Sequence, residues 1–264
     1  MSAYVIHDSA TMLRRNFRHM VRYPSVSLLV IGIPVILLLL FVFVFVFGGT
    51  LGDGLGNAAL GRDAYVDYVT PAIVLIAIAG AAQGTAISAA MDMHEGIIAR
   101  FRTMGIARVS VLMGHVLGST LQTMAGLVVV FGVAVLVGFR PHASVVEWMA
   151  TGGLLLMITL AITWLSVALG LAPKSVEAAS NLPMPLILLP FLSSGFVPVE
   201  SMPAGLRWFA EWQPFTPFIE TLRWLLMGAA IGRSAVLSVV WCVAIGLVGY
   251  LWAKKLYERG PAAR

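Results

Sequence analysis

The sequence predicts an all-α membrane protein, and three observations carry that prediction. Six long apolar stretches lie between Arg14 and Lys255, and none holds an Asp, Glu, Lys or Arg. Stretches of roughly 20 apolar residues, rising 1.5 Å per residue as helix, match a hydrocarbon core about 30 Å thick. The chain is also 59% hydrophobic and only 11% charged, where a soluble domain carries about 25% charged residues. Finally, no long charged or Pro/Gly/Ser-rich segment is available for a separate soluble unit, so residues 1–264 read as one membrane domain. Lipid offers the backbone no hydrogen-bond partners, which leaves helices as the natural form of such stretches.

The chain begins with a segment that is not a span. Ile6, Ala10, Leu13, Phe17 and Met20 recur at helical spacing and share one face, while Arg15, Arg18 and Arg22 lie away from it. Residues 1–24 therefore read as a basic amphipathic helix suited to the cytoplasmic headgroup plane, or to packing on protein. Tyr23-Pro24 ends it. The first apolar run follows a basic segment, has span length and lacks an A-x-A-like site, so no cleavable signal peptide is expected.

Six transmembrane helices are expected at 27–47, 69–90, 112–137, 149–171, 182–197 and 234–253. The fifth holds Pro183, Pro185 and Pro190, so an irregular start or a kink is expected, with a true start nearer Val176. Loop charge orients them. The N-terminal segment, the loops after spans two and four and the tail hold 12 of the 17 Lys and Arg, which puts both termini in the cytoplasm. The net charge of +5 is too small and scattered for a nucleic-acid face and fits loops held against an anionic leaflet. Cys242, the one cysteine, sits in an apolar run and reads as a small buried hydrophobe.

The loop between spans two and three, residues 92–108, is the densest polar stretch. Gly96 and Gly105 bracket Ile97, Ile98, Phe101 and Met104, which alternate with Arg100 and Arg102. Such a mixed apolar and basic face suits either a docking element for a soluble partner or a helix resting on the membrane.

Outside, residues 198–230 follow span five. Ser201 and Pro203 signal a short helix over Ala204–Trp212, stopped at Gln213-Pro214. Thr216 as N-cap and Pro217 start a second, Phe218–Met227, ended by Gly228. Each is about 10 residues, roughly 15 Å, or half a membrane. Trp208, Phe209, Trp212, Phe215, Phe218 and Trp224 suit an interfacial depth, where Glu200, Arg207, Glu211, Glu220 and Arg223 need water or one another. A re-entrant helical hairpin is expected, and an external cap lying flat is the alternative.

The chemistry that is missing narrows the function. His115 is the one protonable residue in the spans, placed about one turn into span three, where a structural interfacial role is expected. No Gly-x4-Gly-Lys-Ser/Thr occurs, no His/Cys/Asp/Glu cluster has metal-ligand spacing, and no catalytic constellation is legible. Gly80-x3-Gly84 and Gly114-x3-Gly118 could permit close helix contact. A route lined by hydroxyls, amides and aromatics suits an amphipathic compound better than an ion.

Three stretches resemble the type 2 permeases of ABC exporters, close to the daunorubicin-resistance permease group of actinobacteria. They are Leu13–Pro24, Glu95–Gly114, and Leu192–Pro203 continued by Trp212–Pro217 and Glu220-Thr-Leu-Arg223. The resemblance implies two permease copies, as homodimer or heterodimer, in a bacterial plasma membrane. It also implies two separate cytoplasmic ATPase subunits that hold ATP and Mg, with no cofactor, metal or catalytic residue on this chain. It makes the loop after span two the ATPase-coupling element, with Glu95, Gly96, Arg100, Arg102, Met104 and Arg108 as its contact residues. Gly105 departs from the family pattern, standing where many relatives carry proline.

The leading expectation is an export permease for an amphipathic, lipid-like or drug-like compound, with antibiotic resistance known of its relatives. Gln83, Ser88, Phe191 and Ser194 are the expected substrate contacts, on inner faces of spans two and five. Glu200, Glu211, Glu220 and Arg223 are the polar residues of the hairpin. A secondary transporter or channel without an ATPase, and a membrane scaffold, are the alternatives. The uncharged spans count against ion coupling.

Overall fold

The computed structural model describes residues 24–46, 62–94, 108–173, 175–228 and 232–259. Every element among them is helical. In order they are α1 (Pro24–Leu40), which continues as a π-helical turn over Phe41–Val46; α2 (Arg62–His94); α3 (Arg108–Val137); α4 (Val145–Leu171); α5 (Val176–Asn181); and α6 (Met184–Leu188), followed by a 3-10 turn over Leu189–Leu192. A further 3-10 turn over Val199–Ser201 precedes α7 (Ala204–Trp212), α8 (Phe215–Met227) and α9 (Arg233–Arg259).

Among the described residues, four helices are long and apolar enough to cross a membrane: Tyr65–Met93, Leu112–Val137, Val145–Leu171 and Arg233–Glu258. They correspond to the second, third, fourth and sixth expected spans. The expected first is helical over Pro24–Val46, as α1 and its π-helical turn, with Gly32–Phe43 as its described apolar part, and the expected fifth is a shorter, broken apolar stretch, Val176–Leu192. In the first, regular α-helix gives way at Phe41-Val-Phe-Val-Phe-Val46 to a π-helical turn, a run of residues that are weak helix formers. In the fifth, proline is the cause. Ser175 caps α5 by accepting from the Ala178 N–H at 3.2 Å, so the helix does begin at Val176. It stops before Pro183, restarts as α6 and tightens to 3-10 geometry around Pro190. The amphipathic segment 1–24 lies outside the described residues except for Pro24, which opens α1.

The helix α2 is the centre of the bundle. Ala72, Ile73, Val74, Leu75, Ile76, Ala77, Ile78 and Ala79 are all buried. A run of buried residues over two turns leaves no free face, so this helix has neighbours all round. It packs against α1, α3, α4 and α8, while α4 also lies along α9. A capping box starts α4: the Glu147 carboxylate accepts from the Ser144 N–H at 2.6 Å, and Ser144 Oγ accepts from the Glu147 N–H at 3.4 Å.

Close backbone contact within the chain comes from glycines other than Gly80 and Gly84. A side chain at Gly80 or Gly84 would meet nothing within 4 Å. A Cβ at Gly170 of α4 would instead strike the backbone of Ala86 on α2, and one at Gly249 of α9 would strike the backbone of Trp164 and Leu165 on α4. These are the positions where small residues let membrane helices approach. Cys242 is buried and unbridged, as expected.

Candidate functional site

The helix α8 brings polar residues together at one end of the bundle. Phe215, Phe218, Ile219, Leu222, Leu225 and Leu226 bury one flank of it in the main core. That anchorage aims Arg223 at α2 and at the chain that follows α6. The Arg223 guanidinium lies over the Tyr68 ring, 3.8 Å from its centroid. Its Nη2 donates to the carbonyls of Tyr68 and Ser194, each at 3.1 Å. The Tyr68 hydroxyl donates to the same Ser194 carbonyl at 2.8 Å. One carbonyl therefore ties three separate chain segments. Arg223 has no carboxylate within ion-pair distance among the described residues, because Glu220 accepts instead from the Ser234 hydroxyl at 2.7 Å. A cation held by carbonyls and an aromatic face substitutes ion–dipole and cation–π attraction for an ion pair.

Neighbouring polar groups complete the clasp. The Thr216 hydroxyl donates to the Ala210 carbonyl at 2.6 Å and accepts from the Ser194 N–H at 3.4 Å. Gln213 Nε2 donates to the carbonyls of Leu189 and Leu192 at 3.0 and 2.8 Å, satisfying backbone left open where the fifth apolar stretch breaks. The hydroxyl of Ser194, a residue only 4% exposed, has no partner among the described residues. Phe191 stacks on Phe196 with ring centroids 5.1 Å apart, and Phe196 in turn packs on Phe41 at 4.6 Å.

Of the expected substrate contacts, Phe191 and Ser194 thus lie together beside the clasp. Gln83 is elsewhere on α2, donating to the Ser180 carbonyl of α5 at 2.9 Å. Ser88 is exposed farther along the same helix. Ser88 and the Tyr68 end of α2 are about 30 Å apart at 1.5 Å per residue, so the four residues are strung along a path and do not share a pocket. Of the expected hairpin acids, Glu220 lies beside the clasp, bonded to Ser234. Glu200 is exposed, and Glu211 forms an exposed i,i+4 pair with Arg207 at 2.9 Å. Thr216 is not the N-cap expected for the second hairpin helix: α8 starts at Phe215, with Pro214 before it. Pro217 then occupies the first turn, where its missing N–H costs nothing.

At the other end of the bundle, Glu95, Gly96, Arg100, Arg102 and Met104 lie outside the described residues, and Arg108 is the first residue of α3. The helix α2 runs through His94, so Asp92 belongs to its last turn. His115, expected as a lone interfacial residue, is buried and paired: its Nε2 is 3.0 Å from Asp92 Oδ2. Sequence reasoning missed this pair and Tyr68. The signal for the pair was topological, since the end of one span and the start of the next must converge across a short connection.

Comparison with known protein families matches residues 8–227 to the ABC-2 type transporter family. The chain is 27% identical to the daunorubicin resistance ABC transporter permease protein DrrB1 of Streptomyces coeruleorubidus, over 93% of this chain and 83% of that protein. It is 29% identical to the probable doxorubicin resistance ABC transporter permease protein DrrC of Mycobacterium tuberculosis, over 73% of this chain and 72% of that protein. The family match spans well over half of the chain, so the protein belongs to the ABC-2 type transporters and is a membrane permease.

Proposed function

Starting from that membership, we propose that the chain is the membrane-spanning subunit of an ATP-driven exporter. It moves an amphipathic, lipid-like or drug-like compound out of the cell, with ATP and Mg bound by two separate cytoplasmic ATPase subunits. The family match over residues 8–227 carries this reading. The names of the relatives, permeases of daunorubicin and doxorubicin resistance, favour a drug-like substrate within that class.

Two permease copies form the transporter. The broken helix α5–α6 supports this arrangement. Asn181, Leu182, Met184, Pro185, Leu188, Phe191 and Leu192 are exposed there, although the prolines leave the backbone irregular. Irregular backbone is tolerated at membrane depth only against protein or a water-filled route. The second copy covers this face, and the route past Gln83, Ser88, Phe191 and Ser194 runs beside it. The helix Pro24–Val46 and the broken stretch Val176–Leu192 complete six crossings, with both termini cytoplasmic and the α7–α8 hairpin re-entering from outside. Residues 1–24 lie along the inner leaflet. Glu95, Gly96, Arg100, Arg102, Met104 and Arg108 receive the ATPase, whose closure biases the bundle between inward- and outward-open states.

The test is purification from native membranes with identification of whatever accompanies the chain. A stoichiometric soluble ATPase, lost on Arg100→Ala and Arg102→Ala, is the expected result. Transport driven by an ion gradient in ATP-free vesicles, with no partner recovered, would instead mark a secondary transporter.

A further inference from the structure

Asp92 and His115 join the two helices that flank segment 95–107. Asp92 lies in the last turn of α2, and His115 lies in the second turn of α3. Their side chains are only 14% and 10% exposed, and their atoms meet at 3.0 Å. Residues beside each on its helix belong to one small apolar core: Ala89 three residues before Asp92, and Leu112 and Val116 on either side of His115. Val167, Ala168 and Leu171 of α4, with Ala253, Leu256 and Tyr257 of α9, fill the rest of that core. A directional bond in an apolar setting holds one geometry, whereas apolar contacts slide. This is also the end of the bundle where Gly170 of α4 rests on the backbone of Ala86. Gly249 of α9 rests in the same way on Trp164 and Leu165. Close backbone packing thus unites α2, α4 and α9, and the Asp92–His115 bond adds α3.

We propose that Asp92 and His115 are positioning residues for energy coupling. They clamp the inner ends of α2 and α3, so that a push on the segment between them moves four helices as one body. Without the bond, the push splays α2 from α3 and is dissipated. The inference rests on the reading of segment 95–107 as the element that receives the ATPase.

The experiment has two arms on the full-length chain in lipid nanodiscs or proteoliposomes. In the first, spin labels are placed by Met91→Cys and Leu117→Cys, both exposed positions, on a Cys242→Ser background, and the distance distribution is measured without any ATPase. The parent gives a narrow distribution. His115→Phe and Asp92→Ala broaden it, and His115→Gln, which keeps a donor, restores it. In the second arm, molecules exported per ATP hydrolysed are counted with the co-purified ATPase. His115→Phe and Asp92→Ala each lower this ratio about tenfold, the double variant is no worse than either single, and His115→Gln recovers most of it. ATPase binding is unchanged throughout. Unaltered distances, additive losses, a Gln variant as impaired as Phe, or broadened distances with an unchanged ratio would each overturn the clamp. Failure to recover any ATPase with the parent chain would remove the exporter reading, and with it the coupling role, while the first arm would still report whether the bond holds the helices.

Discussion

The two hairpin helices, α7 and α8, are close in sequence, similar in length and both rich in aromatic residues, yet the protein uses them differently. In α7 Ala210 alone is buried, and Trp208 and Trp212 are 67% and 68% exposed. In α8 nine residues are buried, including Phe215, Phe218, Ile219 and Leu222 with no exposed surface at all. The helix α8 is part of the protein core and carries the Arg223 clasp. The helix α7 is a peripheral strut whose tryptophan face points away from the protein and whose Ala210 lies on the opposite side, with the exposed Arg207–Glu211 pair about a quarter-turn round from the tryptophans. Aromatic content therefore says that a helix avoids bulk water, and only its neighbours decide whether protein or lipid replaces that water.

The contrast can be broken most directly in α8. Phe218→Ala should cost about 3–5 kcal/mol in reversible unfolding, the range for emptying a fully buried aromatic site. Trp212→Ala should cost under about 1 kcal/mol in the same assay, and equal losses for the two would show that α7 is as embedded as α8. Next in size is the clasp. Arg223→Leu should cost about 2–3 kcal/mol, the range for hydrogen bonds to a charged group, seen as a lower melting temperature in nanodiscs. Tyr68→Phe should cost about 1 kcal/mol, and the double variant less than the sum, because both residues bond the Ser194 carbonyl.

Trp208 and Trp212 sharpen the other half of the contrast. In a chain whose remaining tryptophans are replaced by phenylalanine, lipids brominated near the headgroup should quench these two strongly. Quenching only by a water-soluble agent would place α7 in solution. The smallest effect belongs to Glu211→Ala. An exposed i,i+4 pair contributes about 0.3–0.5 kcal/mol, so the melting temperature should barely move.

Much of this was legible in the chain. Helix α7 is bounded as Pro203 and Gln213-Pro214 indicate, because a residue before proline avoids helical geometry. The break in the fifth apolar stretch followed from its prolines, and Gly228 ends α8 with a φ of 69°, a left-handed turn suited to glycine. The start of α8 was misread because the Thr216 hydroxyl resembles a cap in sequence but is bonded to Ala210 across the turn. Local spacing cannot report such a competing partner. The same limit applies to the site. Ser194 and Arg223 were each visible as polar residues in an apolar setting. That they meet at one carbonyl, with Tyr68 as the third party, depends on how α2 passes between α8 and the fifth stretch. The pairing of His115 with Asp92 was hidden for the same reason. The open space at Gly80 and Gly84 has a simpler cause, since spacing shows where two small residues share a helix face and never which helix lies opposite.

The length of α2 joins two distant sites. Its 33 residues give a rod of about 50 Å, well beyond the thickness of the hydrocarbon core. Tyr68, in the Arg223 clasp, and Asp92, in the bond to His115, are about 36 Å apart on that one rod. Its middle, Ala72–Ala79, is gripped on all sides. The Arg223 clasp and the Asp92–His115 bond are therefore carried by one continuous helix, unbroken although Pro71 lies between them, so neither site has a flexible connection to the other.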